Sequence, residues 1–492
     1  MTDRTRDYFI QSITPPPQKI DVQDGAYYEL CNGAKLLFNA PADAADILRE
    51  DAFLYWKIEF DVTCGNADPA VPAEGYQLTV TADSITLQAS DAAGIRNALR
   101  TLRQLAQPER GVRIISKHIL PQCRIEDAPA LPFRGMHICW FPETEATHIE
   151  KMIRMAGYYK YNYIVLEPWG VFPFECEPDF CWKDKAVPRA VFKKMINLAK
   201  SLGITVIPQL NLNGHASLSR GGSGKHFVLD QHPEYAPLFE PGGWCWCLSN
   251  PETRKLLTAM VEELHEFFGN PPYFHAGCDE AHDMVTCAEC AEHLPADLLQ
   301  DHLVYFNDLF RKRGARMMIW HDMLLDHAEK RWEGYVVCGN QKTGTTEMYK
   351  TLPKDILICD WEYCNCVPPR DQDFEWESTR FFMDAGFDTL LCPWQVAVNC
   401  VSQGRYIWKN NGFGLLGTSW HTCFAGDFQS IFLATAVGAW NPAAGIQGMN
   451  KLHGWNRHIR AVEQDMNLEQ YEDFGYNTQY QISPERFQGM VQ

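Results

Sequence analysis

The chain has 492 residues, of which 46% are hydrophobic and 22% are charged, and it contains no low-complexity tract or internal repeat. Its formal net charge of -18 argues against nucleic acid and anionic membranes as partners, because phosphate groups are bound by clustered Lys and Arg. A chain of this length is expected to form one large domain with an accessory domain.

The first residues of the chain and its cysteine content bear on the compartment in which the protein is expected. Residues 1–18 lack the apolar core of a secretory signal, and no later run of about 18 apolar residues could span a membrane. The 18 cysteines suit a reducing environment, where free Cys behaves as a small buried hydrophobe. We therefore expect a cytoplasmic protein without a membrane span.

Residues 75–107 predict a β-hairpin followed by a helix. Two alternating apolar runs meet at a short turn, and Ile95, Leu99 and Leu102 then recur at helical spacing. A helix laid on one face of a sheet makes a small α+β accessory domain. We place this domain at residues 1–125.

From residue 126 onward, short apolar runs alternate with amphipathic stretches. Eight such runs occur, at Phe133–Cys139, Tyr163–Leu166, Ile204–Gln209, Tyr273–Gly277, Arg316–Ile319, Ile356–Cys359, Thr389–Cys392 and Leu415–Thr418. Apolar strands separated by helices are typical of a parallel sheet covered on both faces, and eight of them predict a closed (β/α)8 TIM barrel over residues 126–440. An open doubly wound sheet is the alternative. Helical spacing in residues 441–492 predicts a terminal helix that packs on the barrel.

Polar and aromatic side chains close the predicted strands, at the end where such barrels carry their catalytic groups. Six of the eight strand ends carry a Trp. The site residues that we select at these ends are Glu167, His215, Asp279, Glu280, Trp320, Asp322, Trp361, Tyr363, Trp394 and Trp420. Trp rings around carboxylates form apolar walls with hydrogen-bonding acids, which is typical of a small-ligand pocket and suits a sugar.

Asp279 and Glu280 follow the fourth apolar run directly. Two neighbouring acids repel each other, so we expect one to stay ionised while the other keeps its proton and acts as a general acid near neutral pH. Two solvated acids at a helix N-terminus are the alternative interpretation. The Trp and acidic residues at the other strand ends favour the catalytic interpretation of this pair.

The sequence HAGCDE at His275–Glu280 resembles the His-x-Gly-x-Asp-Glu motif of glycoside hydrolase family 20, the exo-acting β-N-acetylhexosaminidases. Residues 75–107 resemble the accessory domain of that family, and Leu131–Gly135 resembles its opening strand, which presents a sugar-binding arginine. Val165–Glu175 and the segment that ends at His215 are similar to the intracellular hexosaminidase D branch.

The resemblance implies retaining hydrolysis of terminal β-linked N-acetylhexosamine (GlcNAc or GalNAc), in which the substrate's 2-acetamido oxygen attacks C1 and forms an oxazolinium ion. It implies Glu280 as general acid and base and Asp279 as the group that orients the acetamido N–H. Trp361 and Trp420 would then form the wall of the acetamido pocket, and Trp320 would face the sugar.

The resemblance also implies the remaining substrate contacts. Arg134 would bind sugar hydroxyls, and Tyr363 is the candidate for holding the acetamido oxygen. From their positions at the strand ends, Glu167 and Asp322 are expected to accept hydrogen bonds from sugar hydroxyls, with solvated loop acids as the alternative. The expected partner is a small glycan or glycoconjugate, no cofactor is expected, and the sequence leaves a homodimer open.

Three other classes of protein stay open. A glycosidase of non-acetamido β-hexosides would use Asp279 as a direct nucleophile. A metal-dependent barrel hydrolase would carry a His-x-His after its first strand, where this chain has only His137. A catalytically silent sugar-binding barrel is the third, although the intact acid pair gives no reason for a loss of activity.

Metal binding is not expected from the cysteine spacing. Cys287 and Cys290 form a single Cys-x-x-Cys, whereas a structural zinc site needs four converging ligands. Cys245 and Cys247 lack zinc spacing, so we expect them to serve packing. Cys278 lies near the Cys-x-x-Cys, and the sequence leaves open whether Cys278, Cys287 and Cys290 bind a metal. The predicted site at the strand ends contains no metal.

Overall fold

The computed structural model describes residues 6–41, 44, 56, 58–110, 115–142, 144–182, 184–217, 219–220, 225–363, 373–394, 396–420, 427–445, 458, 461–462 and 465–466. Among these residues, none of the helices combines the length and apolar character that crossing a membrane requires. The predicted terminal helix at 441–492 falls largely outside the described residues.

The N-terminal part of the chain is built on a seven-stranded sheet, preceded by a short helix α1 (Arg6–Ile10). Its strands are β1 (Lys19–Leu30), β2 (Ala34–Asn39), β3 (Phe60–Gly65), β4 (Tyr76–Val80), β5 (Ile85–Gln88), β6 (Gln107–Arg110) and β7 (Ile115–Asp127). They pair in the order β1-β7-β4-β5-β2-β3, with β6 beside β7. The predicted hairpin is the antiparallel pair of β4 and β5.

Helix α2 (Ala92–Leu105) packs on this sheet through its apolar stripe. Its N-cap is Asp91, whose side chain accepts a hydrogen bond of 2.7 Å from the backbone N–H of Gly94. Glycine is required at that position because a Cβ on Gly94 would lie 2.1 Å from the carbonyl oxygen of Gly75. The close approach buries Ile95 and Leu102 completely.

Eight parallel strands form the second sheet, and a two-stranded ribbon lies in one of its loops. In chain order these strands are β8 (Phe133–Trp140), β9 (Tyr163–Pro168), β10 (Thr205–Pro208), the ribbon strands β11 (Ser219–Arg220) and β12 (Lys225–His226), β13 (Tyr273–His275), β14 (Arg316–Trp320), β15 (Leu357–Asp360), β16 (Thr389–Leu391) and β17 (Gly414–Thr418). The eight pair in the order β10-β9-β8-β17-β16-β15-β14-β13.

The two ends of this sheet meet. A parallel bridge joins Gln209 after β10 to His275 in β13, and the N–H of Leu210 donates to the carbonyl of His275 at 3.1 Å. The predicted (β/α)8 barrel is therefore confirmed, and the open doubly wound alternative is wrong.

Helices lie in the connections between the barrel strands and after the last strand. They are α3 (Ala146–Tyr158), α4 (Arg189–Ser201), α5 (Phe227–Gln231), α6 (Pro251–Phe267), α7 (Pro295–Lys312), α8 (Glu377–Asp384), α9 (Ala397–Lys409) and α10 (Asp427–Trp440). Helix α7 begins at Pro295, where proline loses no hydrogen bond because this is the first helical position.

A buried polar cluster joins the N-terminal sheet to the barrel. The ammonium of Lys160 lies 2.9 Å from the Asp127 carboxylate, and both side chains are fully buried. Tyr76 and Trp440 each donate a hydrogen bond to the same carboxylate, at 2.7 and 2.9 Å. Burial lowers the pKa of Lys160, although the charge of Asp127 opposes the shift.

Arg134 lies in the same region, at the start of β8. Its side chain is 2% exposed, and its guanidinium donates to the carbonyls of Lys160 and Leu131, at 3.0 and 2.9 Å, and to the carboxylate of Glu74. The prediction that Arg134 binds sugar is wrong, because this end of β8 is opposite to the end at Trp140, and the guanidinium is held by protein acceptors.

Candidate active site at the C-terminal end of the barrel

The acid pair Asp279 and Glu280 follows β13 on a sharply bent loop. Three bends occur at positive φ, at Gly277 (64°), Cys278 (72°) and Glu280 (47°). Positive φ is uncommon for residues other than glycine, and such strain is often found at functional sites. At Gly277 a Cβ would lie 2.0 Å from the Asn211 Oδ1 atom, so no larger residue fits without displacing Asn211.

His215 lies between the two acids. Its Nε2 atom is 3.4 Å from Oδ2 of Asp279 and 3.5 Å from Oε2 of Glu280. The loop that carries it also crosses the acid loop closely, since a Cβ on Gly214 would lie 2.1 Å from the carbonyl oxygen of Asp279. His215 has a φ of 58° and packs against the ring of Trp244, with ring centroids 4.4 Å apart.

His215, Asp279 and Glu280 form a triad whose electrostatics differ from those predicted for the two acids alone. Burial opposes a charge on His215, but the negative charge of Asp279 and the contacts with both acids raise the pKa of the imidazole to about 10. The contact with His215 in turn holds the pKa of Glu280 below its usual value. The expectation that mutual repulsion leaves one member of the pair protonated is wrong for Glu280 in this structure, because a positive charge lies between the acids.

Asp322 is the neighbouring acid whose pKa is raised. It is fully buried, and burial together with the negative charge of Asp279 raises its pKa to about 6. One carboxyl oxygen accepts from the backbone N–H of Glu280 at 2.9 Å, and the other accepts from the indole N–H of Trp361 at 3.1 Å. Asp322 therefore positions Glu280 and Trp361, and its predicted contact with a sugar hydroxyl stays a prediction.

Glu167, at the end of β9, is also occupied by protein groups. One of its oxygens accepts from the side-chain amide of Asn211 at 2.7 Å, and the other contacts His137 at 3.1 Å and Cys139 at 3.3 Å. The side chain is 4% exposed. The structure thus brings Glu167 to the strand ends but engages both of its oxygens inside the barrel.

The predicted aromatic residues form a connected group beside the triad. Ring centroids of Trp361 and Tyr363 are 5.1 Å apart, those of Tyr363 and Trp394 are 5.0 Å apart, and Trp420 donates its indole N–H to the Tyr363 hydroxyl. Trp320 lies deeper, 1% exposed, with its ring centroid 5.4 Å from that of Trp420. The structure therefore collects all five, although little of the Trp320 ring is open to a ligand.

Three buried polar atoms of the acid pair, His215 and Trp320 have no hydrogen-bond partner among the described residues. They are Oδ1 of Asp279, Nδ1 of His215 and the indole N–H of Trp320. Buried polar groups are normally paired, so each is a candidate contact for a ligand.

Sequence reasoning missed one residue that contacts the acid pair. The indole N–H of Trp244 donates to the carbonyl oxygen of Glu280 at 2.5 Å, in addition to its contact with the His215 ring. Trp244 lies in a long loop between β10 and α6, away from any strand end. No periodic pattern marks it, so only its position in space reveals the contact.

Four groups of side chains in the described part of the chain have the composition of metal ligands. They are His215, Asp279 and Glu280; His137, Cys139 and Glu167; His321, Asp360 and Glu362; and Glu240, Cys247, Cys287 and Cys290. Burial opposes a charge on His321, but the negative charge of Asp360 and the contact with Glu362 raise its pKa to about 9.

Comparison with known proteins identifies the family. Residues 11–128 match the model of glycosyl hydrolase family 20, domain 2, and residues 187–371 match the model of its catalytic domain. The chain belongs to glycosyl hydrolase family 20. The resemblance carried by the His275–Glu280 motif is thereby confirmed.

Individual relatives are distant. The chain is 25% identical to a beta-hexosaminidase of Vibrio furnissii over 65% of this chain and 58% of that one. It is 26% identical to the beta-hexosaminidase subunit beta of Entamoeba histolytica over 58% of this chain and 55% of that one. The chain thus spans less than two thirds of the length of these relatives. Hexosaminidase D of Bos taurus is 28% identical over 35% of this chain and 50% of that one.

Solved structures share the fold. The exo beta-N-acetylglucosaminidase of Vibrio harveyi aligns with a TM-score of 0.70 at 16% identity, covering 95% of this chain and 79% of that one. The beta-N-acetylhexosaminidase of Bacteroides fragilis aligns with a TM-score of 0.63 at 18% identity, covering 95% and 99%. These alignments support the barrel with its N-terminal sheet.

Proposed function

We propose that this protein is an exo-acting retaining glycoside hydrolase that removes terminal β-linked N-acetylhexosamine from a small glycan or glycoconjugate. The observation that carries the proposal is the buried Oδ1 atom of Asp279, which has no hydrogen-bond partner among the described residues. The charge of Asp279 acts on the Tyr363 phenol, which packs against the Trp361 ring and accepts the indole N–H of Trp420. A carboxylate oxygen in that position suits the N–H of an acetamido group, and the rings suit its methyl group and the sugar face.

The proposed reaction uses the substrate's own acetamido oxygen as nucleophile. That oxygen forms a bond to C1 while the bond from C1 to the leaving oxygen breaks, and Glu280 donates its proton to the leaving oxygen. Asp279 holds the acetamido N–H and stabilises the positive charge that develops on the ring. Glu280 then takes a proton from the water that opens the oxazolinium ion, which regenerates the acid.

Glu280 must acquire a proton before this reaction begins. Its side chain is 36% exposed, and its pKa is lowered chiefly by the contact with His215. A bound sugar excludes water from Glu280 and directs Asp279 toward the substrate amide, and desolvation raises the pKa of a carboxyl group. We propose that the proton held by His215 in the free site passes to Glu280 when substrate binds.

The remaining roles are also proposals. Tyr363 is proposed for the acetamido oxygen, and Trp394 and Trp320 for the sugar. We keep the division of the chain at residues 125 and 440 and the membership of the hexosaminidase D branch as proposals. A cytoplasmic location is supported by the cysteines, since those in the described part of the chain are free thiols.

Hydrolysis of four nitrophenyl glycosides tests the function directly. We expect release of nitrophenol from the β-GlcNAc or β-GalNAc substrate, or from both, and none from the β-glucoside or β-galactoside. Cleavage of only the last two would contradict the proposal and favour a direct nucleophile.

Two variants test the assigned roles in the same assay. Glu280→Gln should lower kcat/KM by roughly 10²- to 10⁴-fold, the usual contribution of a general acid. Asp279→Asn should reduce activity on acetamido substrates by about 10²-fold or more, because an amide stabilises positive charge poorly. Asp297→Asn, an exposed acid in the first turn of α7, is the matched control and should leave the rate unchanged.

A further inference from the structure

Four ligand-type side chains converge beside the active-site loops, at a place the proposed reaction does not use. They are Glu240, Cys247, Cys287 and Cys290, and one candidate ligand atom from each lies within 4.8 Å of the others. Cys287 and Cys290 form the Cys-x-x-Cys seen in the sequence. Cys247, which is 40 residues away from Cys287 in the chain, adds a third thiol, and Glu240 adds a carboxylate.

The sulfur distances distinguish a metal site from a disulfide. The Sγ atom of Cys247 lies 3.6 Å from the Sγ atoms of both Cys287 and Cys290. A disulfide bond is about 2.05 Å long, so neither pair is bonded. Ligands at the zinc–sulfur distance of about 2.3 Å in a tetrahedron are separated by about 3.8 Å. The thiols therefore already have nearly the spacing that a tetrahedral zinc ion imposes.

Glu240 is fixed in a way that leaves one oxygen available. Its Oε2 atom accepts from the backbone N–H groups of Thr286 and Cys287, at 2.8 and 2.6 Å. Its Oε1 atom is buried without a hydrogen-bond partner among the described residues, in a residue that is 1% exposed. An unpaired buried carboxylate oxygen is costly, and a cation would remove that cost.

The backbone is arranged for anionic sulfur as well. The N–H of Cys290 donates to Sγ of Cys287 at 3.3 Å, and the N–H of Ala291 donates to the carbonyl of Cys287 at 2.9 Å. Such a turn brings two thiols separated by two residues to one side. A thiolate at Cys287 would be stabilised by the N–H that points at it.

We propose that Glu240, Cys247, Cys287 and Cys290 bind one structural zinc ion. Thiolate ligands select zinc over magnesium and calcium, which prefer oxygen. Four protein ligands complete a tetrahedral shell, so the ion has no open position for water or substrate and serves structure. The sequence-based expectation of no metal rested on one Cys-x-x-Cys and is revised here.

The ion would connect the two loops of the candidate active site. Glu240 and Cys247 belong to the loop after β10, and the N–H of Trp246 in that loop donates to the carbonyl of Asn213 at 3.1 Å, two residues before His215. Cys287 and Cys290 lie shortly after the acid pair. Zinc would therefore fix the separation between His215 and the acids without contacting the substrate.

Metal content tests this proposal without reference to activity, so its outcome is independent of the proposed hydrolysis. We expect the full-length protein, purified without chelator from medium with zinc, to hold about one zinc per chain by elemental mass spectrometry. Cys247→Ser and Cys290→Ser should hold almost none. Cys181→Ser, a buried cysteine outside the group, is the matched control and should keep the ion.

Chelation of the wild type covers the case in which a variant does not fold. Incubation with EDTA should lower the unfolding midpoint by at least about 5 °C, and added zinc chloride should restore it. Cobalt(II) in place of zinc should show the absorption of thiolate-to-metal charge transfer. A wild type that holds no zinc after incubation with zinc chloride, or an unfolding midpoint that EDTA does not move, would overturn the proposal.

Discussion

At the scale of single residues, His215 determines the charge state of the candidate site. It offers a positive charge to two carboxylates that would otherwise repel each other, and its contacts with them are 3.4 and 3.5 Å long, so neither acid is tightly held. The loop conformation at His215 is therefore part of the electrostatics of the pair. A substrate can compete for either acid without breaking a short hydrogen bond.

The raised pKa of His215 predicts a pH-dependent contribution to stability. A group whose pKa rises from 6.5 to about 10 on folding stabilises the native state fully below about pH 6.5 and loses that effect as the pH rises toward 10. The wild type should exceed His215→Gln in unfolding free energy by an amount on the order of a few kcal/mol near pH 6, and the difference should vanish near pH 10.

Chemical denaturation at intervals across this pH range measures the effect. Subtracting the variant removes the titration of other groups, and His293→Gln, at an exposed histidine, is the control for replacing a histidine with glutamine. A difference between the wild type and His215→Gln that stays constant from about pH 6 to pH 10 would contradict the raised pKa.

At the scale of elements, the loops after β10 and β13 are locked together by two glycines. Gly214 faces the backbone of Asp279, and Gly277 faces the side chain of Asn211. Each loop thus approaches the other more closely than any Cβ permits. This contact is what holds His215 over the acid pair.

Gly277→Ala should destabilise the protein more than the backbone conformation alone explains. Gly314 has a similar φ of 73°, but a Cβ added there would meet no atom within 4 Å, so Gly314→Ala reports the cost of positive φ only. We expect a loss of about 1 kcal/mol for Gly314→Ala and at least about 2 kcal/mol for Gly277→Ala, by urea denaturation. Equal losses would show that Asn211 moves aside at little cost.

At the scale of the whole molecule, the buried pair of Lys160 and Asp127 ties the N-terminal sheet to the barrel. Each member is surrounded by further partners, including the Trp440 ring, whose centroid lies 4.3 Å from the Lys160 ammonium. This cluster also contains Arg134, which explains why that residue is buried here. The sheet therefore contributes to the barrel's stability at the end remote from the acids.

Removing one charge of this pair should lower the free energy of unfolding strongly. Lys160→Met leaves the Asp127 carboxylate buried without its cation, which typically costs about 3–5 kcal/mol. Lys19→Met breaks the exposed ion pair with Glu126, where the lysine side chain is 78% exposed, and should cost less than about 1 kcal/mol. Similar unfolding free energies for the two variants would contradict the role assigned to the buried pair.

The sequence by itself determined the barrel, the N-terminal hairpin and helix, and the acid pair at Asp279 and Glu280. These follow from patterns that are local in the chain. The period of apolar residues is imposed by the geometry of each strand or helix, and a strand's end marks the face where its polar residues emerge. That is why the predicted strands and helices agree with the structure to within a few residues in most cases.

Only the tertiary structure decided which charges meet. Arg134 donates to Glu74, and His215 lies between the two acids. Cys247 lies beside the Cys-x-x-Cys, although it is 40 residues away from Cys287 in the chain. The pKa of a carboxyl group and the ligand set of a metal depend on neighbours a few ångströms away in space. Those neighbours come from different loops, and chain spacing does not specify how the loops cross.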